Sequence, residues 1–170
     1  MIASIEHLIE VLKESTSEED FIKALNARKI PLRDFQKFYT WNPLHYTRNC
    51  ISKPSTYELD LICFSEGQAL PISSISSTKS IIVCIEGIIQ TKKFKKDEQT
   101  KLLTEISAKN LDVNSSSLVV EANEIYAQEN ISNTKAVSLH LYLPPLLYLI
   151  EHLIDGSSHQ KIVHYDSMYA

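Results

Sequence analysis

A small set of side chains in this sequence can do chemistry. Arg48 stands in the run Tyr46-Thr47-Arg48-Asn49. A guanidinium is permanently charged and planar, and its fork pairs bidentately with a carboxylate. Ser138, His140 and Tyr142 stand two residues apart in an apolar run. Side chains alternate along a strand, so these three share one face. Cys50, Cys63 and Cys84 lie far apart with no CxxC spacing. An odd count argues for free thiols rather than a disulfide framework. Cys63 and Cys84 sit inside apolar runs and read as small buried hydrophobes. His7 reads as a rim residue of the first helix. His45, His152, His159 and His164 fall on strand or loop positions with no partner evident from sequence.

The elements that must position these groups follow from pattern. Ile2, Ile5, Leu8, Ile9 and Leu12 recur at helical spacing, which predicts an amphipathic helix over residues 2–14. Thr16 followed by Glu19 reads as a capping box for a second helix carrying Phe21, Ile22 and Leu25. Pro31 fits the first turn of a third helix that runs to about Phe38. After Pro43 the pattern changes to short β-prone runs: 45–51, 57–64, 80–85, 88–94, 117–122, 125–128, 137–142, 147–154 and 162–165. Such spacing predicts an all-β sandwich or barrel. Residues 92–101 read as a solvated hairpin and loop, and 110–116 as a polar turn. The expected architecture is one domain over 1–170, with a helical cap over 1–40 and a β-barrel over 41–170.

Composition bounds the function classes. The chain has 170 residues, 44% hydrophobic and 22% charged, as in an ordinary globular protein. Its net charge of −4 points to no nucleic-acid or membrane-surface partner. Acids interleave the first apolar run, so it does not read as a signal peptide. The apolar stretch 139–154 contains two prolines, two histidines and Glu151, and does not read as a transmembrane helix. A cytoplasmic protein is expected. The sequence contains only 3 glycines, so a glycine at a turn has a specific backbone reason to be there.

The segment from Leu61 to Gly87 resembles the first metal motif of a cupin, a jelly-roll-like β-barrel. In that motif a His-x-His pair and a Glu stand between two glycines. Gly67 and Gly87 occupy the glycine positions with matching spacing. Ser73 and Ile75 stand at the two histidine positions, and Ser80 at the glutamate position. The second motif, a His four residues before an Asn, is matched by Tyr126 and Asn130. The chain further resembles the cysteine dioxygenase family. The resemblance rests on Tyr46-Thr47-Arg48-Asn49, on Cys63-Phe64-Ser65-Glu66-Gly67, and on Ala136 through Pro145, in that order, and extends from about residue 5 to the end.

That resemblance implies residue roles. Arg48 corresponds to the arginine that holds the carboxylate of cysteine, with Tyr46 supporting that end. Ser138, His140 and Tyr142 correspond to an outer-sphere relay beside the iron. Ser80 replaces the cysteine that crosslinks to the tyrosine in some members, so no thioether is expected. The peptide Leu143-Pro144 is expected to be cis. The family cofactor is Fe(II), held by three imidazoles, and all three positions here hold non-ligands. No cofactor is therefore expected. The leading expectation is a metal-free pseudoenzyme that binds a small carboxylate or amino acid through Arg48. The alternatives are an active iron-dependent thiol dioxygenase with unconventional ligation, and a protein-interaction module.

Overall fold

A computed structural model describes residues 1–169. Three helices lead the chain: α1 (Ile5–Glu14), α2 (Glu18–Asn26) and α3 (Leu32–Gln36). Helix α1 starts three residues later than its apolar periodicity suggests. The Ser4 hydroxyl caps it by accepting from the His7 amide at 3.1 Å. Ile2 instead makes a parallel bridge with Arg28. The capping box of α2 lies one residue beyond the expected pair. Ser17 accepts from the Asp20 amide at 3.2 Å, and Asp20 accepts from the Ser17 amide at 3.2 Å. Both pairs satisfy the capping pattern, and the shorter Asp20 reaches back from the third helical position. Pro31 is the N-cap of α3 rather than part of its first turn, and the helix stops at Gln36, short of Phe38.

Strands fill the rest of the chain. β1 (Thr47–Ser52), β2 (Glu58–Phe64), β4 (Lys79–Glu86), β7 (Leu118–Val120), β9 (Ala136–Leu143) and β12 (Ser167–Met168) form one sheet, in the order β12-β1-β2-β9-β4-β7. β3 (Ala69–Ser74), β5 (Ile89–Lys96), β6 (Leu103–Leu111), β8 (Ile125–Asn130), β10 (Tyr148–His152) and β11 (Ser158–Ile162) form the other, in the order β11-β10-β3-β8-β5-β6. All pairings are antiparallel except β1 with β12. The expected barrel is thus two facing sheets. Among the described residues no ladder joins them, so they are not closed into a hydrogen-bonded barrel.

The first sheet is covered on both faces. One face packs under the helices, where Leu8, Leu12 and Leu25 meet Leu59, Leu61, Val83, Leu139 and Leu141. The other faces the second sheet, where Ile62, Phe64, Ile82 and Tyr142 meet Leu70, Ile89, Leu111 and Tyr126. Double coverage explains why β2 and β9 are buried along nearly their whole length and read as continuous apolar runs. At Gly87 the chain leaves β4 and enters β5 of the opposite sheet. The turn requires φ +76°, and a Cβ there would lie 2.7 Å from the Ala136 Cβ. No helix is long and apolar enough to cross a membrane.

Candidate functional site

Strand register assembles the site on the inner face of the first sheet. β1 sends Arg48 and Cys50 inward and Thr47 and Asn49 outward. The outward pair fastens neighbouring segments: Thr47 donates to the Thr40 carbonyl at 2.6 Å, and Asn49 Oδ1 accepts from Thr40 at 2.7 Å and Ser167 at 2.6 Å. Cys50 lies across from Asp60 on β2. Asp60 lies across from His140 on β9, Glu58 across from Tyr142, and Ile62 across from Ser138. Tyr142 in turn lies across from Ser80 on β4. Serine carries no sulfur, so no thioether to Tyr142 forms there.

These rows bring Arg48, Ser138, His140 and Tyr142 into one hydrogen-bonded chain. Arg48 Nη1 donates to Tyr142 Oη at 2.8 Å. Tyr142 Oη lies 3.2 Å from His140 Nδ1, and His140 Nε2 lies 2.8 Å from Ser138 Oγ. The His140 ring is fully enclosed. Burial, and then the Arg48 charge, push its pKa well below the ordinary value, so the ring is neutral. It fills one donor and one acceptor role between its two neighbours. Burial pushes the Tyr142 phenol well above the ordinary range.

Arg48 has a second partner that sequence reasoning did not single out. The same Nη1 donates to Asp60 Oδ2 at 2.8 Å, a salt bridge with both side chains buried. Burial opposes the Arg48 charge, but Tyr142 and Asp60 outweigh it, and the guanidinium stays protonated. Asp60 is pushed up to about 7, chiefly by burial and also by Glu58, against the opposing effect of Arg48. Asp60 Oδ1 has no hydrogen-bond partner among the described residues. Glu58, two residues before Asp60 on the same face, is equally buried and better satisfied. It accepts from the Leu146 amide at 2.8 Å, from Lys53 at 3.1 Å, and from the Tyr165 hydroxyl. The Cys50 thiol is pushed up to about 12, by burial first and then by Asp60 and Glu58. The signal for this cluster was present: two acids at period two inside an otherwise apolar strand.

Tyr46 is half-buried at the open end of the site, its ring 6.2 Å from Phe64. With Arg48 it lines two spaces. The inner one, about 20 Å³, also touches Leu70, Ser73 and Tyr126 and has room for about one water. The outer one, about 290 Å³, runs past Leu149, Lys161 and His164. That volume is near the lower end for small-molecule pockets. Both hydrogen bonds of the Arg48 side chain use Nη1, so Nε and Nη2 have no protein partner among the described residues.

The family metal positions face these groups from the second sheet and around its edge. Ser73 on β3 lies across from Tyr126 on β8, and Ile75 follows β3 directly. Ser73 donates its hydroxyl to the Pro71 carbonyl at 3.0 Å. Ile75 lies in the apolar cluster between the sheets. Tyr126 is buried, and burial pushes its phenol up, away from the phenolate that ligates metal. A hydroxyl, an alkyl group and a neutral phenol do not fit an iron(II) centre that depends on imidazoles. Asn130, the last residue of that pattern, holds the turns together. Its side-chain amide donates to the Ser65 carbonyl at 3.2 Å and the Thr134 carbonyl at 2.7 Å.

Elsewhere, Cys50, Glu58 and Asp60 each offer one ligand atom within 4.8 Å of the others. Both carboxylates already pair with cations, Asp60 with Arg48 and Glu58 with Lys53. Of the remaining histidines, His152 has its Nε2 2.8 Å from Ser74 Oγ, and His45 its Nδ1 2.6 Å from the Tyr46 carbonyl. The Leu143-Pro144 peptide is cis, as expected.

Comparison with known proteins places this arrangement. A family model described as cysteine dioxygenase type I matches residues 1–151. Cysteine dioxygenase type 1 of Danio rerio is 24% identical over 152 residues, covering 84% of this chain and 75% of that protein. The Rattus norvegicus protein is 24% identical over 146 residues, covering 81% and 73%. Among solved structures, a Klebsiella pneumoniae protein with a double-stranded β-helix domain is similar at TM-score 0.55 and 7% identity, over 88% of this chain and 97% of that one. A Thermus thermophilus protein is similar at TM-score 0.55 and 15% identity, over 66% and 95%. At those identities the two structures speak to fold alone. Arg48, Asp60, Ser73, Tyr126 and Tyr142 all lie inside the matched span, and the chain belongs to the cysteine dioxygenase type I family.

Proposed function

We propose that this protein is a metal-free member of its family that binds a small carboxylate or amino acid through Arg48 and does not oxidise thiols. The observation that carries the reading is the donor set at Ser73, Ile75 and Tyr126, which offers no imidazole. Oxygen activation in the family needs iron, and losing every imidazole ligand removes the means of holding it. Arg48 and Tyr46 both line the 290 Å³ space, and the Nε and Nη2 donors of Arg48 have no protein partner among the described residues. Three free, buried cysteines suit a reducing compartment such as the cytoplasm.

A second reading, dioxygenase activity with relocated ligands, draws on the Cys50, Glu58 and Asp60 cluster. Elemental analysis of the purified protein, with and without added Fe(II), separates the two. Sub-stoichiometric metal in both samples, with binding of L-cysteine in titration calorimetry, is the expected result. One iron per chain together with sulfinate formation would overturn the proposal. Folded protein that gives no heat with L-cysteine or other small carboxylates would remove its ligand-binding half.

A further inference from the structure

We propose that Asp60 is the built-in counter-ion of Arg48, and that a small carboxylate binds this site together with one proton, which the Asp60 carboxylate takes up. The inference rests on the ligand-binding reading above and specifies what that binding requires.

Arg48 and Asp60 form a buried pair at 2.8 Å, neutral as a unit. A carboxylate arriving at the free edge of the guanidinium therefore meets no net positive charge. It would add an uncompensated anion to a region where charges are weakly screened. Protonating Asp60 restores the balance: Arg48 then pairs with the ligand, and Asp60 becomes a neutral acid. No bond other than that to the proton is made or broken.

The surroundings favour such a proton. From β1, Arg48 and Cys50 face Asp60; from β2, Glu58; from β9, His140 and Tyr142. Lys53 and Tyr165 reach the cluster through Glu58. His140 is held neutral, both phenols stay protonated and Lys53 pairs with Glu58, so Arg48 is the cation that pairs directly with Asp60. The unpartnered Asp60 Oδ1 has an open lone pair where a proton can sit, with the Glu58 carboxylate beside it to accept it. Asp60 lies near 7 before any ligand arrives. A neighbouring anion raises it further.

Only the protonated form then takes the ligand well. Apparent affinity follows the fraction of that form, so it falls about tenfold between pH 6 and pH 8. Propionate is a suitable probe, because its own carboxyl stays ionised across that range. Calorimetric titration at pH 7.5, in buffers of different ionisation enthalpy, counts protons directly and needs no variant. About three-quarters of a proton taken up per propionate is the expected result, since about a quarter of Asp60 already carries one at that pH, together with the tenfold loss of affinity towards pH 8. Asp60→Asn removes the negative charge and should bind propionate about tenfold tighter than the native chain at pH 8, with no proton uptake. Binding that is independent of pH, proton-free and unchanged in Asp60→Asn overturns the inference and leaves the ligand-binding reading standing. No binding of propionate or L-cysteine at pH 6, by native protein or variant, overturns both.

Discussion

Removing one member of the Arg48–Asp60 pair tests whether the inner face is held together as described. Arg48→Met keeps much of the side-chain volume and deletes the charge. Asp60 then loses the Nη1 donor that stands 2.8 Å away, in a fully buried position. Breaking a buried pair from one side costs about 3–5 kcal/mol, because the remaining charge is stranded. Asp60→Leu combined with Arg48→Met removes both charges and should recover most of that loss. A double-mutant cycle by urea unfolding at pH 8 reads the coupling, provided m stays constant across the four proteins. The single Arg48→Met cost should also shrink at lower pH. Arg48 is the main influence that holds the Asp60 pKa down. Without it Asp60 rises further and takes up a proton when folded, so the penalty falls by about 1–1.5 kcal/mol between pH 8 and pH 6. Additive effects with no pH dependence would show that the pair is not coupled and that the charge argument is mistaken.

Gly87→Ala should destabilise by about 2–4 kcal/mol, from the left-handed backbone and the 2.7 Å approach to Ala136, read as a shift in urea midpoint. An unchanged midpoint would mean that the β4–β5 crossing is not fixed there. The native chain should lose stability as pH rises from about 4 to about 7. Asp60 binds its proton more tightly folded than unfolded over that window, so the folded state is favoured at the lower end and the advantage is gone above 7. Stability that rises steadily through that window in the native chain, with the same slope in Asp60→Asn, would count against the raised Asp60 pKa. Asn130→Ala removes amide bonds to Ser65 and Thr134 and should cost about 2–3 kcal/mol in the same assay. A loss well below about 1 kcal/mol would show that the turns are held by other contacts.

What the sequence made legible depended on burial. β2, β4 and β9 are covered on both faces, and their apolar runs stand out against polar flanks. β3 lacks that signal: Ala69–Ser74 contains Pro71 and a serine pair, is buried at some positions and open at others, and reads as a polar crossing. β6 is an exposed edge strand paired with β5, and its LTEISAKNL shows no apolar face. The run 147–154 contains β10, but the run 162–165 misses its strand for the same reason. Ser158–Ile162 is exposed throughout, so the apolar 162–165 drew the reading past the true element. At the site, the face shared by Ser138, His140 and Tyr142 followed from period-two spacing alone. The partner of Arg48 did not, because pairing across β1, β2 and β9 is a matter of register. A strand sequence shows which residues share its face but not which residue of the next strand stands opposite.

The charges on that inner face close without an added ion. Arg48 and Lys53 supply two cations; Asp60 and Glu58 supply two carboxylates; His140, Tyr142 and the Cys50 thiol are neutral. A divalent ion held by Cys50, Glu58 and Asp60 would add two positive charges to a balanced interior. Deprotonating Cys50, whose thiol is pushed up to about 12, would offset one of them at considerable cost. The ion would also compete with Arg48 for Asp60, leaving a buried guanidinium stranded at about 3–5 kcal/mol. A proton avoids both penalties. It carries a single charge, fits on one carboxylate oxygen, and leaves Arg48 in place. Charge balance on the first sheet and missing imidazoles around the second therefore favour the same reading, a site that manages anions and protons rather than iron.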